Sequence, residues 1–347
     1  MNTITSKKGD LSATLKRALA FRAKALAPDS ALVLPGMPNT EGGESGRFFL
    51  PNDAAFSEQF FSEPLTTYAT GWKDPEDNQA LVAMIAPDVE VGRRFEFKQG
   101  INAEEFLTEA DDVRAIGSEF KTVKYTGTTQ NGKTLVKGLS YRMDREQFPD
   151  PVKAQNLIVG KLLRRCWRNE AVRAITLLVA SGVNTNVTWS SGSPTPEIDV
   201  ETANDAAQLL SGLYNNRILY AKDAWTKRRK GLAGGNYAGA YSGSKMTIDD
   251  VVADLGLDKG MVSKSVYQST ATAKARLFSN LVLSFYAQDG VDTEDPTNLK
   301  RFWTPTEAGP FQVYAQPVGS EFIDITVKYC SIITAVSTVG VAKLTVS

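Results

Sequence analysis

The sequence predicts an α+β protein assembled from unlike parts, and three stretches carry that prediction. Between Arg93 and Tyr125 lies a long, heavily charged strand–loop–strand arm. From Val152 to Ala180 the pattern is helical for about thirty residues, ~45 Å at the α-helical rise. Residues 183–317 then mix helical and strand patterns, and the chain closes on strands.

Taken in order, residues 10–27 predict a helix opened by Asp10, with Leu11, Leu15, Leu19 and Leu26 on one face. Residues 28–55 are rich in Pro, Gly, Ser and Asn and predict an extended connector. Phe48, Phe49, Phe56, Phe60 and Phe61 demand burial, in the local core or at an interface. Ala80 to Val91 is apolar and broken by Pro87, which predicts a strand leading into the arm. In the arm, Phe95/Phe97 and Phe120/Val123/Tyr125 alternate as strands do, while the middle is crowded with charge. An extended hairpin with a polar tip is marginal alone and needs a surface to lie on. Arg93, Glu104, Glu105, Asp111, Asp112 and Arg114 are therefore the candidate inter-subunit contacts.

After the arm, GTTQNG predicts a turn and TLVKGLSYRMDREQF a further strand, with Pro149-Asp150-Pro151 ending the sheet region. In the long helix Leu163, Trp167, Ala171, Ala174 and Leu178 recur at three and four, with Lys161, Arg164, Arg165, Arg168 and Arg173 on the polar side. DVETANDAAQLLSGL and AKDAWTKRRK predict helices, and NRILY a short strand between them. Five glycines in GLAGGNYAGAYSG predict a mobile or closely packed loop. ARLFSNLVLSFYA reads as a strand or a buried helix segment. FIDITVKYCSIITAV alternates at Ile323, Ile325, Val327 and Tyr329, a half-buried strand, and VAKLTVS is the last.

Composition narrows function. Apolar residues are 42% and charged residues 22% of 347, ordinary for a folded chain. Lys plus Arg equals Asp plus Glu at 39 each, so no bulk charge draws the chain to nucleic acid or anionic lipid. No histidine occurs, which removes Ser-His-Asp and Cys-His catalysis and histidine-ligated metals. Cys166 and Cys330 read as small core hydrophobes. No apolar run approaches the roughly eighteen residues of a membrane span, and the first residues lack the pattern of a secretory signal. Neither an enzyme nor a cofactor or metal site is expected.

Gly127–Thr134, GTTQNGKT, matches the phosphate-loop pattern letter for letter. That chemistry needs a helix straight after Thr134, whereas LVKGLSYRM is strand-like and Asn131-Gly132 favours a hairpin turn. The run Lys227–Lys230 reads as a solvated helix end, and Asn186-Val187-Thr188 as a chance glycosylation pattern.

The order of the pieces resembles a tailed-bacteriophage major capsid protein of the Hong Kong 97 type, nearest the lambda-like head proteins. APDVEVGRRFEFK, FLTEADDVRAIGSEFKTVKY, KGLSYRMDRE and the helix LIVGKLLRRCWRNEAVRAITLL carry it, with Asn169-Glu170 inside that helix. NVTWSSGSPTPEIDVETA, NNRILYAKDAWTKRRK, DPTNLKRFW and DITVKYCSIITAVSTVGVAKLTVS extend it over roughly residues 65–347. The resemblance implies an N-terminal arm (1–62), a lead-in (63–92) and an extended loop (93–126). It further implies a peripheral domain (127–182 and 318–347) with a spine helix (152–180), and an axial α/β domain (183–317). Glycine-rich 231–243 would lie near the capsomer axis.

It implies self-assembly into pentamers and hexamers of an icosahedral head enclosing double-stranded DNA, held without sequence-specific contacts. Expected partners are other copies of the chain, a separate scaffolding protein (only ~60 residues precede the match), a portal and a decoration protein; no membrane is expected. The implied location is the virion, with assembly in the host cytoplasm. Two alternatives stay open: an encapsulin-like compartment shell, and a nucleotide-binding enzyme using Gly127–Thr134.

Overall fold

The computed structural model describes residues 58–99, 113, 119, 128–148, 150–190, 194–235, 239–268, 270, 272–290, 296–306 and 309–347. The chain divides at Phe60/Phe61. Of the first unit, the 3-10 turn Glu58–Phe60 is described; the predicted helix 10–27 and Phe48, Phe49 and Phe56 lie outside the described residues. The second unit holds every element named below.

Its longest element is the spine helix, Pro151–Ser181. Asp150 starts it by accepting a bond from the Lys153 amide, and Pro151, with no amide hydrogen to satisfy, suits the first turn. The predicted stripe is the buried one: Leu163, Trp167, Ala171, Ala174 and Leu178 all face inward. On the polar side Arg164 and Arg168 pair with Glu76, while Lys161 and Arg165 are exposed.

Helices Glu63–Gly71 and Asn78–Ile85 pack on the spine. The second corrects the sequence reading, which made 80–85 part of a strand. Asp74 accepts from the Glu76 and Asn78 amides and so organises the helix start. Leu81, Val82 and Ile85 are buried. A short, continuously apolar run carries no period to separate the two readings. The strand begins only at β1, Asp88–Glu90.

One sheet is organised around the fourteen-residue β13 (Phe322–Ala335). Along one edge it carries β12 (Gln312–Val318) and then β11 (Leu299–Trp303); along the other runs β4 (Leu135–Asp144), and β1 adds in parallel to β11. Ile323, Ile325, Val327 and Tyr329 are buried on its spine-facing side, as the alternation predicted. The second sheet runs β5 (Val183–Val187), β14 (Ala342–Val346), β10 (Leu281–Phe285), β6 (Arg217–Ala221), β7 (Lys259–Ser263). Thus β11 and β12, from the expected axial stretch, hydrogen-bond with β13, while β14 lies inside the other sheet. ARLFSNLVLSFYA resolves to strand at β10.

Two further expectations change. Most of the glycine-rich stretch is helical: Lys222–Gly234 extends through Gly231 and Gly234, and Ala240–Lys245 includes Gly243. Gly231 is a close-packing position, since a Cβ there would lie 2.1 Å from the Trp189 carbonyl oxygen. The basic run is not simply solvated. Arg228 is fully buried, because 224, 225, 228 and 232 share the inward face of the helix. It pairs with Glu197 and lies 4.9 Å over the Trp225 ring.

Candidate inter-subunit site

The stretch predicted to be the arm is bracketed by β2 (Arg94–Gln99) and β3 (Thr128–Lys133), an antiparallel pair running from Arg94 opposite Lys133 to Gln99 opposite Thr128. This overturns both readings of GTTQNGKT. Residues 128–133 are strand rather than turn, and Thr134 leads into β4, so the element after Thr134 is a strand and not the helix that a phosphate loop needs. Thr134 is buried, its amide donating to the Arg93 carbonyl and its hydroxyl 2.7 Å from that of Thr304. The described residues of the motif, 128–134, do not form a phosphate loop. Asn131-Gly132 sits in the strand because Gly132 provides a floor for an aromatic ring: a Cβ would fall 2.4 Å from the end of Phe95.

Phe95 and Phe97 close the root onto the body. Their ring centroids lie 4.5 and 5.4 Å from that of fully buried Phe302 on β11. Val89 and Val336 complete this small core, with Val91 and Ile332 against it. Burying aromatic area of this kind contributes on the order of 2 kcal/mol per ring. The arm is therefore pinned at its base by packing.

Beneath the root sits a carboxylate that sequence reasoning missed. Glu170, on the spine, is 1% exposed. It accepts from Lys137 Nζ of β4 at 2.8 Å, and from the Tyr329 and Ser331 hydroxyls of β13 at 3.2 Å each. Arg173 pairs with it, and Arg301 Nε of β11 lies 3.8 Å away. Burial pushes the Glu170 carboxyl up, but Lys137, Arg301 and Arg173 outweigh it and hold it below the ordinary value. Arg301 lies over Trp167 at 4.8 Å and donates to Asp88 at 2.8 Å. A signal for Glu170 was available: it falls between Trp167 and Ala174 in the phase of the apolar stripe, where a carboxylate must find partners.

Of the predicted contact residues, Arg93 is exposed at the start of the arm. Glu104, Glu105, Asp111, Asp112 and Arg114 lie outside the described residues, as do Phe120, Val123 and Tyr125. Cys166 is buried and Cys330 half-buried, both free thiols, and burial pushes Cys166 up to about 12. Among the described residues no group of three or more His, Cys, Asp or Glu could hold a metal, and no helix is long and apolar enough to cross a membrane.

A spine helix, a body sheet carrying a hairpin root, and a second mixed sheet with flanking helices make up an α+β fold that a solved structure shares. A phage-related protein of Bordetella bronchiseptica shares it, with a TM-score of 0.63 at 17% identity over 82% of this chain and 96% of that one. Weaker likenesses are to a virus-like particle from Pyrococcus furiosus (TM-score 0.47, 13% identity, 81% of this chain, 95% of that one) and to Mycobacterium phage Adephagia (0.48, 11%, 77% and 90%). The fold assignment rests on the first. No family model and no curated protein matches the sequence.

Proposed function

We propose that this chain is the major capsid protein of a tailed bacteriophage, a structural subunit that forms pentamers and hexamers of an icosahedral head around double-stranded DNA. The observation that carries the reading is the likeness in fold to the phage-related protein, which spans nearly the whole of that chain. The arm root supports it: Phe95, Phe97 and Phe302 fix the paired strands from which the intervening segment starts and to which it returns. In this reading residues 93–126 lie across an adjacent subunit, and Arg93, Glu104, Glu105, Asp111, Asp112 and Arg114 make the contact. Closed rings follow from head-to-tail contacts, and assembly adds stability that the lone subunit lacks. Scaffolding, portal and decoration proteins are its partners, the virion its location, and it performs no catalysis.

Light scattering and electron microscopy of the purified protein, alone and with the other head proteins, test this. Uniform shells are the expected product. Monomers under every condition overturn the proposal, and shells that enclose a dedicated protein cargo in place of DNA shift it to an encapsulin-like compartment.

A further inference from the structure

The arm has two roots, and they reach the same carboxylate by different routes. On the outgoing side, β1 lies just before Arg93, and its Asp88 is bonded to Arg301 Nη1 at 2.8 Å. The Arg301 backbone amide also donates to the Pro87 carbonyl, and its guanidinium faces Glu170. On the returning side, Lys137 comes three residues after Thr134 and donates to Glu170 Oε1 at 2.8 Å and to Ser331 at 3.2 Å. Glu170 thus stands on the spine with an outgoing connection through Arg301–Asp88 and a returning one through Lys137.

Stability alone does not explain a charge in this place. A buried ion pair roughly breaks even with well-packed apolar side chains, and its best-attested use is to fix one geometry among several. Aromatic packing at Phe302 holds the root onto the sheet but is non-directional about the spine. Charge-assisted hydrogen bonds are directional, and the polar groups of β4, β11 and β13 converge on one helix position.

We infer that Glu170 is a positioning residue that sets the pose of both arm roots against the spine, and so the angle at which the arm meets a neighbouring subunit. The inference rests on the capsid reading for its second clause alone.

Hydrogen exchange on the full-length chain tests it, with particle images of the assembled product. Glu170→Gln keeps shape and one acceptor but removes the charge. Amides of 88–99 and 128–137 are expected to exchange about tenfold faster, the scale of one lost charge-assisted hydrogen bond, while those of the helix Pro196–Ser211, which flanks the second sheet at β14, stay as they were. Shells become heterogeneous in size. Two milder variants separate the routes. Asp88→Ala is expected to loosen 88–99 selectively, and Lys137→Met 128–137 selectively; these decide the matter if Glu170→Gln does not fold. Unchanged root exchange, or uniform loosening of the whole subunit in all variants, overturns the inference. Selective loosening in a protein that never forms shells leaves the positioning role standing and removes the capsid reading.

Discussion

Gly132→Ala places a methyl group where the structure has none to spare. The new Cβ would lie 2.4, 2.6 and 2.8 Å from three atoms of the Phe95 ring, against roughly 3.5–4.0 Å for relaxed carbon contacts. The ring would have to retreat by about 1 Å. It cannot move inward, because Phe302, 4.5 Å away between centroids, is fully buried, and Phe97 stands at 6.0 Å. Either the strands separate or the ring leaves Phe302. Overpacking costs about 1–3 kcal/mol, and a lost aromatic pair about 0.5–1.5 kcal/mol, so a loss of about 1–3 kcal/mol is expected. Urea unfolding followed by tryptophan fluorescence measures it, with Trp303 next to Phe302 in sequence as a nearby reporter. The decisive measurement is a cycle with Phe95→Ala. With the ring gone the methyl has room, so the double variant is expected to be more stable than the sum of the singles predicts, by about 1 kcal/mol or more. Additivity within about 0.5 kcal/mol would refute the claim that glycine is present for this ring.

Acid should unlock the body in a defined window. Glu170 and Asp289 both titrate below their ordinary values of 4.5 and 3.8, Glu170 because its three cations outweigh burial and Asp289 chiefly through its bond from Lys259, aided by Arg217. Carboxyls depressed in the folded state contribute stability that is complete above their unfolded values and lost as pH falls through the folded ones. Unfolding midpoints are expected to hold near neutrality and drop below about pH 4.5, with a shallower acid limb in Glu170→Gln; an unchanged limb would remove Glu170 from the account. Gly231→Ala drives a methyl to 2.1 Å from a backbone oxygen, which no side-chain adjustment relieves. Calorimetry is expected to show a loss of about 2 kcal/mol or more, and a neutral result would contradict the close approach of helix 222–234 to Trp189.

The spine was legible because two independent signals coincide. Its apolar stripe has a clear period, and Asp150-Pro151 supplies a start, so the expected 152–180 differs from Pro151–Ser181 by one residue at each end. β13 was legible because one face is buried and alternation survives. Helix 78–85 was not, since a continuous apolar run has no period and its start signal, Asp74, lies four residues upstream of Asn78. Strand 128–133 was hidden by local propensity: Asn-Gly favours a turn, and only Phe95, distant in sequence, makes glycine necessary there. Arg228 was hidden for the same kind of reason, because its burial depends on Glu197 and Trp225 rather than on its basic neighbours. At the arm, the chemistry of the root emerges from pairings across more than a hundred residues, such as Asp88 with Arg301, which no local window contains.

The placement of β14 has a consequence for folding during synthesis on the ribosome. Its five residues lie between β5 in parallel and β10 in antiparallel, so a nascent polypeptide halted before Ala342 leaves both of those strands with an open edge. β5 waits for a partner that follows it far along the chain, a long-range closure that is slow by nature. Prematurely terminated copies are thereby denied a finished sheet, and the cell's proteases meet them before their full-length siblings do.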